Sequence, residues 1–233
     1  LAYAEKLLSL RAEMLAQVGE GAAVQGVLRV GVAETLVHAW LPKFITSVNE
    51  VYPRLSLEIE VDISPSLRAR LLAQEIELAF LLGPLSASTV RNRELGSYRV
   101  GFLASPSLGL KRNATLEAIA AHPIFTFSRN TQPYEVVKAM LRAPDLPPAR
   151  LNASASMATV VRLAVDGLGI AVIPPAIVQS EIKDGRLVEV ARNVKLPDLK
   201  FAASWLATPD AFATAAVAEL AARIAREHGR KSK

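Results

Sequence analysis

Four short polar stretches hold the side chains best suited to grip a small molecule: Glu34-Thr35, Ser64-Pro65-Ser66, Ser128-Arg129-Asn130-Thr131 and Ser154–Met157. Each follows a β-rich run and precedes a helical pattern. Helix starts leave backbone N–H groups unpaired, and nearby hydroxyls and amides add further donors and acceptors, so the chemistry on offer is recognition of an anion. Arg129 is the sharpest candidate, because a guanidinium can hold a carboxylate with two parallel hydrogen bonds. A surface ion pair is the competing reading of that residue. Glu34 would repel a carboxylate unless it pairs with Arg129 or accepts a ligand hydroxyl, so the expected ligand is a small organic acid carrying hydroxyl or amino groups. Leu82 and Met157 can supply apolar wall or simply core. For any single Ser or Thr, helix capping is the commoner role, and it is compatible with binding.

Catalysis finds no support. The chain has no cysteine, which removes disulfides, thiolate nucleophiles and thiolate metal sites. His38, His122 and His228 are far apart and lack ligand-like spacing, so no metal site is expected. There is no G-x-S-x-G elbow, Walker-type loop or H-E-x-x-H, and His38 beside Trp40 reads as helix packing. Gly167-Leu168-Gly169 follows a helix and precedes a strand, the reverse of the dinucleotide fingerprint. It reads as a helix stop, with no nucleotide or other cofactor implied.

Composition sets the frame for these stretches. With 233 residues the chain is long for one unit and comfortable for two. Hydrophobic residues make up 51%, yet no apolar run approaches the roughly 20 residues that span a bilayer. The formal charge of +5 comes partly from Arg226, Arg230, Lys231 and Lys233, read as a solvated tail rather than a nucleic-acid surface. Leu1–Val18 has helical periodicity, with Leu1, Ala4, Leu7, Leu8, Met14, Leu15 and Val18 as its apolar positions. It lacks the apolar core and cleavage site of a signal peptide, so a fragment of a longer cytoplasmic chain is expected, its leading helix pairing with another copy.

The elements that must position the polar stretches alternate. Val27–Val32 reads as a strand, and Leu36, Trp40, Leu41, Phe44, Ile45 and Val48 as one helix, ended by Tyr52-Pro53. Leu57–Ile63 is a second strand. Ser64 is expected to cap the following helix, with Pro65 in its first turn. Ile76–Leu82 is the continuous apolar run of a strand buried on both faces. After extended segments at Val90–Leu95 and Arg99–Ala104, a second β-α series follows. It has strands at Ile124–Phe127, Leu151–Ala153 and Ile170–Ile173, helices at Pro133–Arg142 and Ser156–Asp166, and an edge strand at Leu187-Val188. Phe201–Ala207 is a further strand, and Ala211–Arg226 the closing helix. The fold class is α/β with doubly wound sheets, whose ligands bind beyond the carboxyl ends of the strands.

Particular residues narrow this to a family. Five stretches carry a resemblance to LysR-type transcriptional regulators: Gly26–Gly31 after the leading helix, Leu41-Pro42, Tyr52-Pro53-Arg54-Leu55-Ser56-Leu57, Leu71–Ala79 and Asp166–Pro174. The last resembles the family's "aGlGia.lP" stretch and is the most specific. Leu71–Ala79 is similar to "L..GelDla", with Gln74 where glycine is usual and Glu77 where aspartate is usual. The resemblance implies a type II periplasmic-binding-protein-like fold: two Rossmann-like lobes joined by two crossover strands, near Tyr98–Leu103 and Lys200–Trp205. The expected divisions are residues 1–20 as linker helix, 24–98 with 205–233 as one lobe, and 99–204 as the other. It further implies an effector-sensing part that binds a small molecule between the lobes, forms a homodimer or homotetramer, and reaches DNA through a winged helix-turn-helix not contained in this sequence. A transporter's solute-binding protein shares the fold and is the alternative. An enzyme on that fold is remote, since the porphyrin-precursor deaminases of this shape need a cysteine.

Overall fold

Strand and helix alternate along the chain largely where β-branched runs and amphipathic periodicity place them. The computed structural model describes residues 3, 5–7, 9–10, 24–209 and 211–231. Its strands are β1 (Gln25–Val32), β2 (Arg54–Val61), β3 (Leu78–Leu82), β4 (Val90–Tyr98), β5 (Gly101–Ala104), β6 (Ile124–Thr126), β7 (Leu151–Ala153), β8 (Ile170–Ile173), β9 (Val188–Val190) and β10 (Leu199–Leu206). Its helices are α1 (Glu34–Ala39), α2 (Leu41–Val51), α3 (Ser64–Leu72), α4 (Leu116–Ala120), α5 (Gln132–Met140), α6 (Met157–Val165), α7 (Gln179–Lys183) and α8 (Phe212–Lys231). The described residues among 3–10 are helical, whereas the remainder of the leading helix expected through Val18 lies outside the described residues.

Two units share these elements. Unit 1 runs to Gly96 and resumes at Lys200, and unit 2 is Ser97–Leu199. The sheet of unit 1 has the order β2-β1-β3-β10-β4. β1 runs parallel to both β2 and β3, with Val30 opposite Leu78. β10 is antiparallel to β3, from Phe201 opposite Leu82 to Trp205 opposite Leu78. That pairing explains why Lys200–Ser204, expected with the second lobe, group with unit 1. Along β3, Leu78–Leu81 are all buried, as a strand covered on both faces requires. Above it, Trp40, Phe44 and Phe80 form an aromatic core with ring centroids 5.2–6.0 Å apart.

The helix expected from Leu36 to Val48 is two helices, broken at Trp40. Pro42 is the cause: it has no N–H to give to His38 and its ring crowds that carbonyl, whereas it fits the first turn of α2.

At the far end of α3, Gln74 N–H donates to Leu71 and Glu75 N–H to Arg70, the paired bonds of a Schellman motif, with Gln74 at φ +60. The left-handed backbone that usually selects glycine is thus retained here with a side chain in place. Glu77 then bridges back to β1: its carboxylate accepts the Arg29 backbone N–H at 2.8 Å and the Arg29 guanidinium Nε at 3.0 Å. Partial burial pushes the Glu77 carboxyl up, but these bonds hold it below the ordinary carboxylate range.

A left-handed Gln costs about 1–2 kcal/mol, and glycine gives back part of that through the freedom of the unfolded chain. Gln74→Gly is therefore expected to raise stability by about 0.5 kcal/mol and Gln74→Val to lower it by about 1 kcal/mol or more. Urea midpoints of the two variants should move in opposite directions.

Unit 2 repeats the plan with the order β7-β6-β8-β5-β9. β6 is parallel to β7 and β8, while β5 runs antiparallel to both β8 and β9. The Schellman pair closes α6, from Gly167 N–H to Ala164 and Leu168 N–H to Leu163, with Gly167 at φ +73. The helix-stop reading of Gly167 is therefore the observed one.

Candidate functional site

Each unit presents its polar turns beyond the carboxyl ends of its parallel strands. In unit 1, β1, β2 and β3 end at Val32, Val61 and Leu82. Ala33 N–H donates to Phe80 at 2.8 Å, which fixes the start of α1 against β3. Thr35, in that first turn, is buried, and the half-buried Glu34 has an oxygen 3.6 Å from Nε2 of His38, one turn on.

Ser64 departs from its expected role. It is the first residue of α3, preceded by Ile63 as cap residue, and it makes no capping bond. Its hydroxyl instead accepts the Leu82 backbone N–H at 3.0 Å and so ties the turn after β2 to the end of β3. The local turn is held by Asp62, whose carboxylate accepts the Ile63 N–H at 2.7 Å and the Ser66 hydroxyl. Asp62 was not among the expected site residues, although Asp two positions ahead of Ser-Pro is a recognisable turn signal. Its carboxylate lies beside the very hydroxyls that were expected to greet an anion. Ser64, Ser66 and Leu82 are thus brought together, with Asp62 among them.

In unit 2, the turn after β6 carries Ser128, Arg129, Asn130 and Thr131. Both the backbone N–H and the hydroxyl of Thr131 donate to the Ser128 carbonyl, at 3.1 and 2.6 Å. Thr131 occupies the cap position of α5 but makes no side-chain cap bond. Its hydroxyl is spent within the turn. Arg129 and Asn130 stand exposed at the tip. Arg129 makes no hydrogen bond or ion pair among the described residues, so the surface ion pair is not observed.

The fourth turn does cap its helix: the Ser156 hydroxyl accepts the Thr159 N–H at 3.2 Å, and Ser154 accepts the Ser156 N–H at 3.0 Å. Met157, at the start of α6, is buried. A further charged pair had no local signal because its members are 90 residues apart: Arg99 grips Glu189 on β9 through both guanidinium NH groups. The hydrogen bonds it donates to Glu189 raise the Arg99 pKa above its ordinary value.

Among the described residues no cluster of His, Asp or Glu could hold a metal ion, and no helix is long and apolar enough to cross a membrane.

Comparison with known proteins gives these turns their context. The sequence profile of the LysR substrate binding domain matches residues 21–229. HTH-type transcriptional regulator GltR of Bacillus subtilis is 24% identical over 187 residues, which cover 80% of this chain and 62% of that protein. The chain spans about three fifths of the length of the curated relatives it matches first. Among solved structures, the reduced regulatory domain of OxyR from Pseudomonas aeruginosa superimposes with a TM-score of 0.70 at 20% identity, covering 88% of this chain and 97% of that one. The AmpR effector binding domain from Citrobacter freundii does so with 0.68 at 20%, covering 87% and 100%. The fold they share is α/β, of the type II periplasmic-binding-protein-like kind. With the profile spanning nearly all of the sequence, this chain belongs to the LysR substrate-binding-domain family.

Proposed function

We propose that this chain is the effector-sensing part of a LysR-type transcriptional regulator, and that its co-inducer is a small organic acid recognised by polar turns at the carboxyl ends of the parallel strands. The observation that carries the carboxylate is Arg129: an exposed guanidinium at the tip of the turn before α5, with no hydrogen bond or ion pair among the described residues. The Ser64 hydroxyl accepts from Leu82 and keeps its own hydrogen to donate, which suits a ligand oxygen. Glu34, Thr35, Ser66, Ser128, Asn130 and Thr131 lie on three of the four turns, and Met157 on the fourth. Asp62 and Glu34 favour a ligand that also carries hydroxyl or amino groups over a bare acid.

In this reading the effector binds one arrangement of the two units more tightly than another, and that difference is what reaches the DNA-binding domains. Relatives named as HTH-type transcriptional regulators support a winged helix-turn-helix as the DNA partner and the cytoplasm as the location. Exposed Tyr3, Leu7 and Leu10 leave an apolar stripe at helical spacing, which supports pairing with a second copy in a homodimer or homotetramer.

A thermal-shift screen of aliphatic and aromatic hydroxy and amino acids, followed by calorimetric titration, tests the reading. A charge-assisted bond is worth about 1.5–3 kcal/mol, so Arg129→Ala is expected to weaken the effector by roughly tenfold or more. Unchanged affinity removes Arg129 from the site, and a screen in which no acid stabilises the chain removes the sensing role.

A further inference from the structure

We infer that unit 2 carries a binding site of its own for a zwitterion of the α-amino-acid type with a small apolar side chain. It lies where β5 begins, and Arg129 is not part of it. Two adjoining hollows, both lined wholly by residues of Ser97–Leu199, share Val100, Leu196 and Asp198.

The first hollow is narrow, about 30 Å³, and mostly apolar, with Val100, Phe127, Pro133, Val136 and Leu196 among its walls. That space suits a methyl- to isopropyl-sized group and excludes an aromatic ring. The second is wide, about 490 Å³, and charged. Its five ionic side chains are not equivalent. Arg99 is bound to Glu189 through both guanidinium NH groups, and Arg192 leans on the same carboxylate at 3.4 Å. These three largely satisfy one another.

Lys195 and Asp198 are left. Both are exposed, they carry opposite charge, and neither makes a hydrogen bond or contact ion pair among the described residues, including with each other, although the Asp198 carboxylate is near enough to Arg99 to help raise its pKa. A ligand with a carboxylate and an ammonium on one carbon answers both at once, its carboxylate toward Lys195 and its ammonium toward Asp198, while the side chain enters the apolar hollow. A plain acid leaves its carboxylate facing Asp198, and a plain amine leaves its ammonium facing Lys195. The chain reaches this arrangement through Ala191, buried and held at φ +48, whose carbonyl accepts the Val194 N–H at 2.9 Å. A left-handed alanine persists only where its surroundings enforce it, and such positions gather at ligand sites.

The test titrates the intact 233-residue chain, followed by NMR shifts at millimolar ligand, with L-alanine and L-valine as probes. Propanoate and ethylamine are their single-charge counterparts, and L-phenylalanine is the oversized one. Alanine or valine should bind about tenfold or more tightly than propanoate, ethylamine and phenylalanine. Lys195→Ala and Asp198→Ala should each weaken binding by about the same factor with unchanged melting curves, and Arg129→Ala should leave it unaltered. Absence of binding by both amino acids, equal binding of propanoate, or indifference to both variants overturns the site. The ligand comparison uses the unaltered chain, so it decides even if a variant fails to fold. Because the effector reading is tested through Arg129, either can fail without the other.

Discussion

Gly169→Ala is expected to destabilise the chain by about 3 kcal/mol or more, well beyond the effect of the same change two residues earlier. A Cβ on Gly169 would stand 2.2 Å from the Pro123 carbonyl oxygen and 2.7 Å from the Phe125 ring. The ring could swing aside. The carbonyl cannot, since it accepts the Ile170 N–H at 2.8 Å and anchors β8 beside β6. Relief therefore requires giving up that bond, about 1 kcal/mol, on top of the strain of overpacking. Gly167 is a different case: its φ of +73 makes alanine unfavourable by about 1–2 kcal/mol, and the nearest atom is the hydroxyl of Ser107, which can rotate away. Chemical denaturation of both variants should rank Gly169→Ala as the more damaging. The reverse ranking would mean that the β6–β8 contact is looser than these distances imply.

Phe80→Ala should cost about 3–5 kcal/mol and lower the melting temperature by on the order of 10 °C. Phe80 is fully buried and meets both other rings of the core, Trp40 at 5.6 Å and Phe44 at 5.2 Å with near-perpendicular planes. Truncation removes the transfer free energy of the ring, two aromatic contacts, and the support beneath the turn that its own carbonyl organises through Ala33. Phe80→Leu keeps most of the volume and is expected to lose about 1.5 kcal/mol. A Phe80→Ala variant within 1 kcal/mol of the parent would show that the cluster can collapse around the gap, contrary to its close packing.

Local pattern carried most of the fold because most of the decisive residues act on neighbours. Pro42 breaks α1 from α2, Tyr52-Pro53 ends α2, and Gly167 closes α6, each within one turn of itself. The expectation of a single helix from Leu36 to Val48 overlooked Pro42, which the sequence displays. Gln74 is the opposite situation: its departure from glycine is visible, but only the backbone reveals that the left-handed turn is kept at some cost. The site was less legible. Ser64 bonds Leu82, 18 residues away, and Arg99 bonds Glu189, 90 residues away. Such partners depend on strand register across a sheet, which no short window contains. The turns themselves were found, whereas which hydroxyl caps, which crosslinks and which carboxylate intervenes followed from the fold.

β10 supplies the fourth strand of its sheet from residues 199–206, yet it lies between β3 and β4, which precede it by about a hundred residues. During synthesis the chain therefore emerges with four of the five strands of unit 1 and a vacancy in the middle. The flank of β3, a run of wholly apolar side chains, waits for its neighbour until Leu206 has left the ribosome, on the order of ten seconds at ordinary elongation rates. Ser97–Leu199, encoded without interruption, is complete before then. The unit that begins first finishes last, and for that interval an unpaired hydrophobic edge is the part of the nascent protein most in need of a chaperone.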